Sequence, residues 1–178
     1  MAKYVALLRG IGPTNPNMKS AKLKAFFEEL GFSNVQTVIT SGNVIFEGSG
    51  SNAAKMAQDI EEALPKKLGF TSKVIIRSQD QLQVVVDQNP YKGLVHDQKT
   101  YLLITFFNKT GKNKLPTVPE GKPYALLGSI DGAVYGSVDL TTGKTPDYMA
   151  WLERQFGKDI TSRTFKTIER ILIKIDST

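Results

Sequence analysis

The chain has 178 residues, 40% of them hydrophobic and 22% charged, with no cysteine and one histidine. Those counts suit one domain or two small ones with a proper core. They exclude disulfides, thiolate chemistry, zinc sites built on cysteine and any multi-histidine metal site within one chain; a carboxylate-only magnesium or calcium site stays open, and no metal or cofactor is expected. The formal net charge of +6 fits an anionic partner, either nucleic acid or a phosphorylated small molecule. It also fits a solvated surface, the reading favoured by the spread of the basic residues along the chain.

In chain order, residues 3–9 run apolar and predict a strand that Gly10 ends. Residues 10–17 are dense in glycine, proline and asparagine and predict a loop. Leu23, Phe26, Phe27 and Leu30 then recur at i, i+3, i+4, i+7, the helical spacing, with Gly31 just past the end. A strand is expected over 35–40, a tight turn at Ser41-Gly42-Asn43 and a paired strand over 44–47. Asn52 can cap a helix whose inner stripe is Met56, Ile60, Ala63 and Leu64, and Pro65 should end or kink it. A strand over 72–77 completes the order β-α-β-β-α-β, and Ser78 caps a short helix with Leu82, Val85 and Val86 inward.

The second half begins with a strand over 101–107 and a basic loop, Asn108 to Lys114. Pro116 and Pro119 keep any helix there short. Residues 123–127 and 133–138 read as a hairpin across Ser129 to Gly132. Pro146 opens a helix with Tyr148, Met149, Leu152 and Phe156 inward. Residues 159–163 suit a short edge strand. A last helix over 165–175 buries Phe165, Ile168, Ile171 or Leu172, and Ile175. The expected fold class is α+β: two ferredoxin-like halves, each an antiparallel sheet with helices on one face. The expected division is 1–80, a helix and connector over 81–98, and 99–178. No stretch approaches the roughly 20 apolar residues that span a bilayer. The apolar start stops at Arg9, too soon for a signal-peptide core, so the cytoplasm is the expected compartment.

Three segments together carry a resemblance: Ala6-Leu7-Leu8-Arg9-Gly10-Ile11, Leu30-Gly31-Phe32-Ser33-Asn34-Val35 and Ser41-Gly42-Asn43-Val44-Ile45-Phe46. With the Arg77-Ser78 junction and the tail from Thr161 to Thr167, they are similar to a bacterial family, domain-of-unknown-function family 1697. The resemblance implies two packed ferredoxin-like halves and no activity. Where the family has Asn-Val-Gly-Gly in its first loop, this chain has Gly12-Pro13-Thr14-Asn15. Of the family's Arg-Asn-Trp-Asn tail, only Arg163 carries over.

Topology points to one end of the first sheet. In a βαββαβ unit the loop after strand one, the turn between strands two and three and the start of the first helix lie at the same edge. Arg9, Gly10, Gly12 and Lys19 should therefore meet Ser41, Gly42 and Asn43 there, with free helix N–H groups that suit an anion. Arg163 joins the candidates through the resemblance, and Lys109, Lys112 and Lys114 form a separate candidate basic patch. Alternatively Arg9 pairs with Glu28 or Glu29, and Ser-Gly-Asn is only a good turn. Gly10-Ile11-Gly12 lacks the third glycine of a dinucleotide fingerprint, and Gly143-Lys144-Thr145 lacks the earlier glycine of a phosphate loop. His96 has no nucleophile in a recognisable arrangement, and Asp131 and Asp139 are spaced as turn residues. The expected function is a non-catalytic binding protein for an anionic partner. The alternatives are an enzyme acting on a small anionic metabolite at the Arg9/Asn43 edge, and an interaction module or homodimer using an open sheet edge.

Overall fold

The computed structural model describes residues 1–10, 15–39, 42–50, 52–108, 115–142 and 147–177. Among them the chain is α+β, with two antiparallel four-stranded sheets and five α-helices. It divides into two compact units. Residues 1–84 with 169–178 make the first, and residues 85–168 the second.

The first unit contains β1 (Ala2–Leu8), α1 (Ser20–Glu29), β2 (Ser33–Thr37), β3 (Asn43–Gly48), α2 (Ala53–Leu68) and β4 (Val74–Ser78). A 3-10 turn, Pro16–Met18, precedes α1. The strands lie in the order β2-β3-β1-β4, all neighbours antiparallel. Alternate strand residues point to opposite faces. Tyr4, Ala6 and Leu8 of β1 pack on Phe26, Phe27, Ile60 and Leu64 of the two helices. Phe27, Phe32 and Phe46 form a ring cluster, with Phe32 and Phe46 centroids 4.5 Å apart. Asn52 caps α2 as its sequence position implies, its Oδ1 accepting from Lys55 N at 3.0 Å. The helix runs on past Pro65 to Leu68, where the half-buried Leu68 packs against the core.

The second unit contains β5 (Thr100–Phe107), β6 (Tyr124–Ile130), β7 (Ala133–Asp139), α4 (Tyr148–Phe156) and β8 (Ile160–Thr164), in the sheet order β6-β7-β5-β8. Between β5 and β6 the described residues hold no helix, where the two prolines allow at most a short one. Two further helices, α3 (Gln79–Gln88) and α5 (Phe165–Asp176), begin in one unit and end in the other.

Helices on one face of each sheet is not what the structure has. In the first unit Val5, Leu7, Ile45 and Ile75, on the face away from α1 and α2, are as buried as the residues beneath those helices. Lys3, on that same face, donates from Nζ to the carbonyl of Ile175 near the end of α5 at 3.0 Å. In the second unit α4 covers the face of Val134 and Val138. Tyr135, on the other face, donates its hydroxyl to the carbonyl of Val85 in α3 at 2.9 Å. The sequence sign was the unbroken apolar runs of β1 and β5, since a strand buried on both faces need not alternate.

Candidate functional site

The residues after β1 are held from two sides. Leu8 N donates to Gly42 O at 2.9 Å, which ties the end of β1 to the turn between β2 and β3. Arg9 N donates to Lys73 O at 2.9 Å and to Ser72 Oγ at 3.0 Å, and Ser72 Oγ donates back to Arg9 O. The strand end is thereby fixed while the half-buried Arg9 leads into Gly10, whose φ is +67°.

Gly42 sits at a close approach in the turn. Its φ is +72°, and a Cβ there would stand 3.0 Å from Leu8 Cβ and 3.3 Å from Met18 Cε. Met18 belongs to the 3-10 turn that leads into α1, so this one glycine joins three segments. Lys19 follows as the first cap of α1. It is exposed, and its side chain makes no capping hydrogen bond to the leading N–H groups of the helix. Arg9, Gly10, Lys19, Gly42 and Asn43 are thus brought to one end of the sheet, as the topology predicts.

Asn43 is 1% exposed. Its Nδ2 donates to Val38 O at 3.0 Å, and Val38 N donates to Asn43 O at 3.0 Å, so it braces the turn. At the tip Ile39 holds φ at +56° with its side chain exposed. For a β-branched residue that backbone is strained. Gly12, Ser41, Lys109, Lys112 and Lys114 lie outside the described residues. Glu28 pairs with Lys24 at 3.8 Å and Glu29 with Lys67 at 2.9 Å.

Arg163 lies in the second unit, on β8. Its Nη1 donates to Thr161 Oγ1 at 2.7 Å and Ser162 O at 2.8 Å. Burial pushes its guanidinium down to about 10. Sequence reasoning did not single out Ser72, Lys73 and Glu61 at the first sheet end. Glu61 accepts from Val74 N at 2.8 Å and from Lys73 Nζ at 3.1 Å, which neutralises that lysine. The topological argument could have found Ser72 and Lys73, because an antiparallel β4 must start where β1 ends.

The second unit repeats these local devices. Phe107 N donates to Gly132 O at 2.9 Å, as Leu8 N does to Gly42 O, and Gly132 has φ +74°. Ala133 stands where the first sheet has Asn43, facing Phe106 as Asn43 faces Leu7. Arg77 and Arg163 are each the fourth residue of a five-residue strand, and each donates from Nη1 to the carbonyl of the residue before it at 2.8 Å. Ser78 and Thr164 follow, and each accepts at its hydroxyl from the N–H three residues on, at 3.2 Å.

Fold and site together define an α+β protein of two antiparallel sheets in which one sheet end gathers cations, glycine turns and an open helix start. Residues 1–124 match the model of DUF1697, a protein of unknown function, and the chain belongs to that family. No curated protein matches it. Among solved structures it is similar to the conserved bacterial protein SP0830 from Streptococcus pneumoniae, at 20% identity over 99% of this chain and 99% of that one, with a TM-score of 0.70. At that identity the likeness is one of fold.

Proposed function

We propose that the protein is a non-catalytic binding protein for an anionic, phosphate-bearing partner held at the end of the first sheet. The observation that carries this is the junction at Gly42. Its bond to Leu8 and its nearness to Met18 support a reading in which Arg9, Gly10, Lys19 and the start of α1 share one sheet end. Backbone N–H groups at a helix start and nearby cations suit a phosphate without any catalytic group. We also read each unit as a ferredoxin-like plait and the pair as copies of one ancestor. The matching sheet orders and the repeated Arg-Ser/Thr junctions support this. A bacterial cytosolic setting accords with the family, and no helix of the described residues is long and apolar enough to cross a membrane.

The test is a titration with inorganic phosphate followed by amide NMR shifts. Saturable shifts at Gly10, Ser20, Ala21 and Gly42 are expected. Lys19→Asp should stabilise the fold by about 1 kcal/mol, because Asp caps a helix where Lys does not, and should weaken phosphate. Shifts that never saturate, or that Arg9→Ala with Lys19→Asp leaves intact, would overturn the proposal. A single-stranded oligonucleotide tests the nucleic-acid form of the partner. Its binding should weaken steeply between about 50 and 200 mM salt.

A further inference from the structure

A second place in the first unit has the form of a ligand site. An open surface cleft of about 580 Å³ lies between α1 and the end of α2. One wall is a single stripe of α1. Lys22, Ala25, Phe26 and Glu29 fall at i, i+3, i+4 and i+7, so they share a helix face beside the core stripe of Leu23, Phe26 and Phe27. The other wall is the last turn of α2, with Lys67 and Leu68 followed by Gly69. The smallest lining residues, Ala25 and Gly69, leave the space.

The polar groups around this space are already positioned. Asn17 Nδ2 donates to Leu68 O at 2.8 Å, which fixes the 3-10 turn against the end of α2. Asn17 Oδ1 accepts from Lys22 Nζ at 2.8 Å, which holds that ammonium at the mouth. At the far end Lys67 Nζ donates to Glu29 Oε2 at 2.9 Å. Each ammonium keeps further N–H donors, and Lys22 sits in the first turn of α1, where the helix end is positive. Two ammonium groups against one carboxylate give the cleft a net positive charge. Between its ends lie Ala25, Leu68 and the lysine stems, an apolar floor. Lys22 and Glu29 are seven residues apart, about 10 Å along the helix.

We propose that this cleft binds a small amphipathic anion, a carboxylate or phosphate at the Lys22 end with an apolar body lying along α1. The site is separate from the Arg9 edge and does not rest on that reading. The probe is 4-phenylbutyrate, with neutral 4-phenylbutanol as its control, followed by amide shifts. Saturable shifts at Lys22, Ala25, Phe26 and Gly69 are expected, at least tenfold tighter for the carboxylate than for the alcohol. Lys22→Met should weaken binding about tenfold, the loss of one charge-assisted hydrogen bond. Ala25→Leu, at an exposed position, should fill the cleft and abolish it. Phenyl phosphate should bind as the carboxylate does, and inorganic phosphate, which lacks the apolar body, should leave Ala25 unshifted. Equal affinity for acid and alcohol, absence of saturable shifts, or binding unchanged in both variants would overturn the proposal, whatever phosphate does at the Arg9 edge.

Discussion

Gly10 and Gly42 both hold left-handed backbone, yet their surroundings set them apart. Around Gly10 a Cβ would meet nothing within 4 Å, whereas at Gly42 it would strike Leu8 and Met18. Gly10→Ala should therefore cost only the conformational penalty, about 1 kcal/mol. Gly42→Ala should cost about 3 kcal/mol, since crowding adds to it. Urea unfolding measures both, and equal costs would mean that the Gly42 contacts relax freely. The Ser-Gly-Asn turn was legible in the sequence. The crowding was not, because Leu8 and Met18 arrive from other segments. Gly136 is a sharper case. A Cβ there would overlap Tyr148 Oη, and that hydroxyl is buried without a hydrogen-bond partner among the described residues. Gly136→Ala should destabilise by about 3 kcal/mol. Tyr148→Phe alone should be near neutral, since it removes an unsatisfied polar atom. The double variant should recover most of the loss, as contacting residues are not additive. Additive effects would rule out the clash.

At the scale of elements, periodicity found the helices and missed details of their facing. In α4 the expected inner residues were Tyr148, Met149, Leu152 and Phe156. The structure buries Tyr148, Trp151 and Leu152 and leaves Met149 37% exposed. A helix of nine residues leaves the stripe free to turn toward either flank, and the Trp151 indole has more apolar surface to bury than Met149. Turns and helix starts also carry the acid sensitivity of the fold. The Asp97 carboxylate accepts from the N–H groups of Lys99 and Thr100, that of Asp139 from the hydroxyl and N–H of Thr141, and that of Asp147 from Lys122. Each is held below its ordinary value of 3.8. The folded state then binds fewer protons than the unfolded one in that window. The stability they lend is full above 3.8 and lost as the pH falls through the lower folded values. Urea midpoints should drop on acidification below about pH 4, and less steeply in a variant with all three replaced by Asn. An identical drop in that variant would exonerate these carboxyls.

Across the whole molecule, chain order and packing diverge. Residues 169–178 come last in sequence yet pack with the first unit. Ile171, Leu172 and Ile175 are buried, and Gln79 donates to Asp176 at 2.7 Å. A chain lacking those ten residues should lose on the order of 5 kcal/mol from three buried side chains. Val5 and Leu7, on the sheet face that Lys3 ties to α5, should become exposed, and calorimetry with a hydrophobic dye would report both. Unchanged unfolding would show that the first unit stands without them. The sequence by itself determined the element types, most of the inner stripes and the placing of the end of β1 beside the Gly42 turn, because periods of two and 3.6 and antiparallel pairing are local rules. Only the tertiary structure decided that both sheet faces are buried, that Asn43 turns inward to hold Val38, that Arg77 and Arg163 make the same local hydrogen bond, and that the α1/α2 cleft exists. Each of these depends on which distant segment fills the space beside a residue, and local pattern does not encode that.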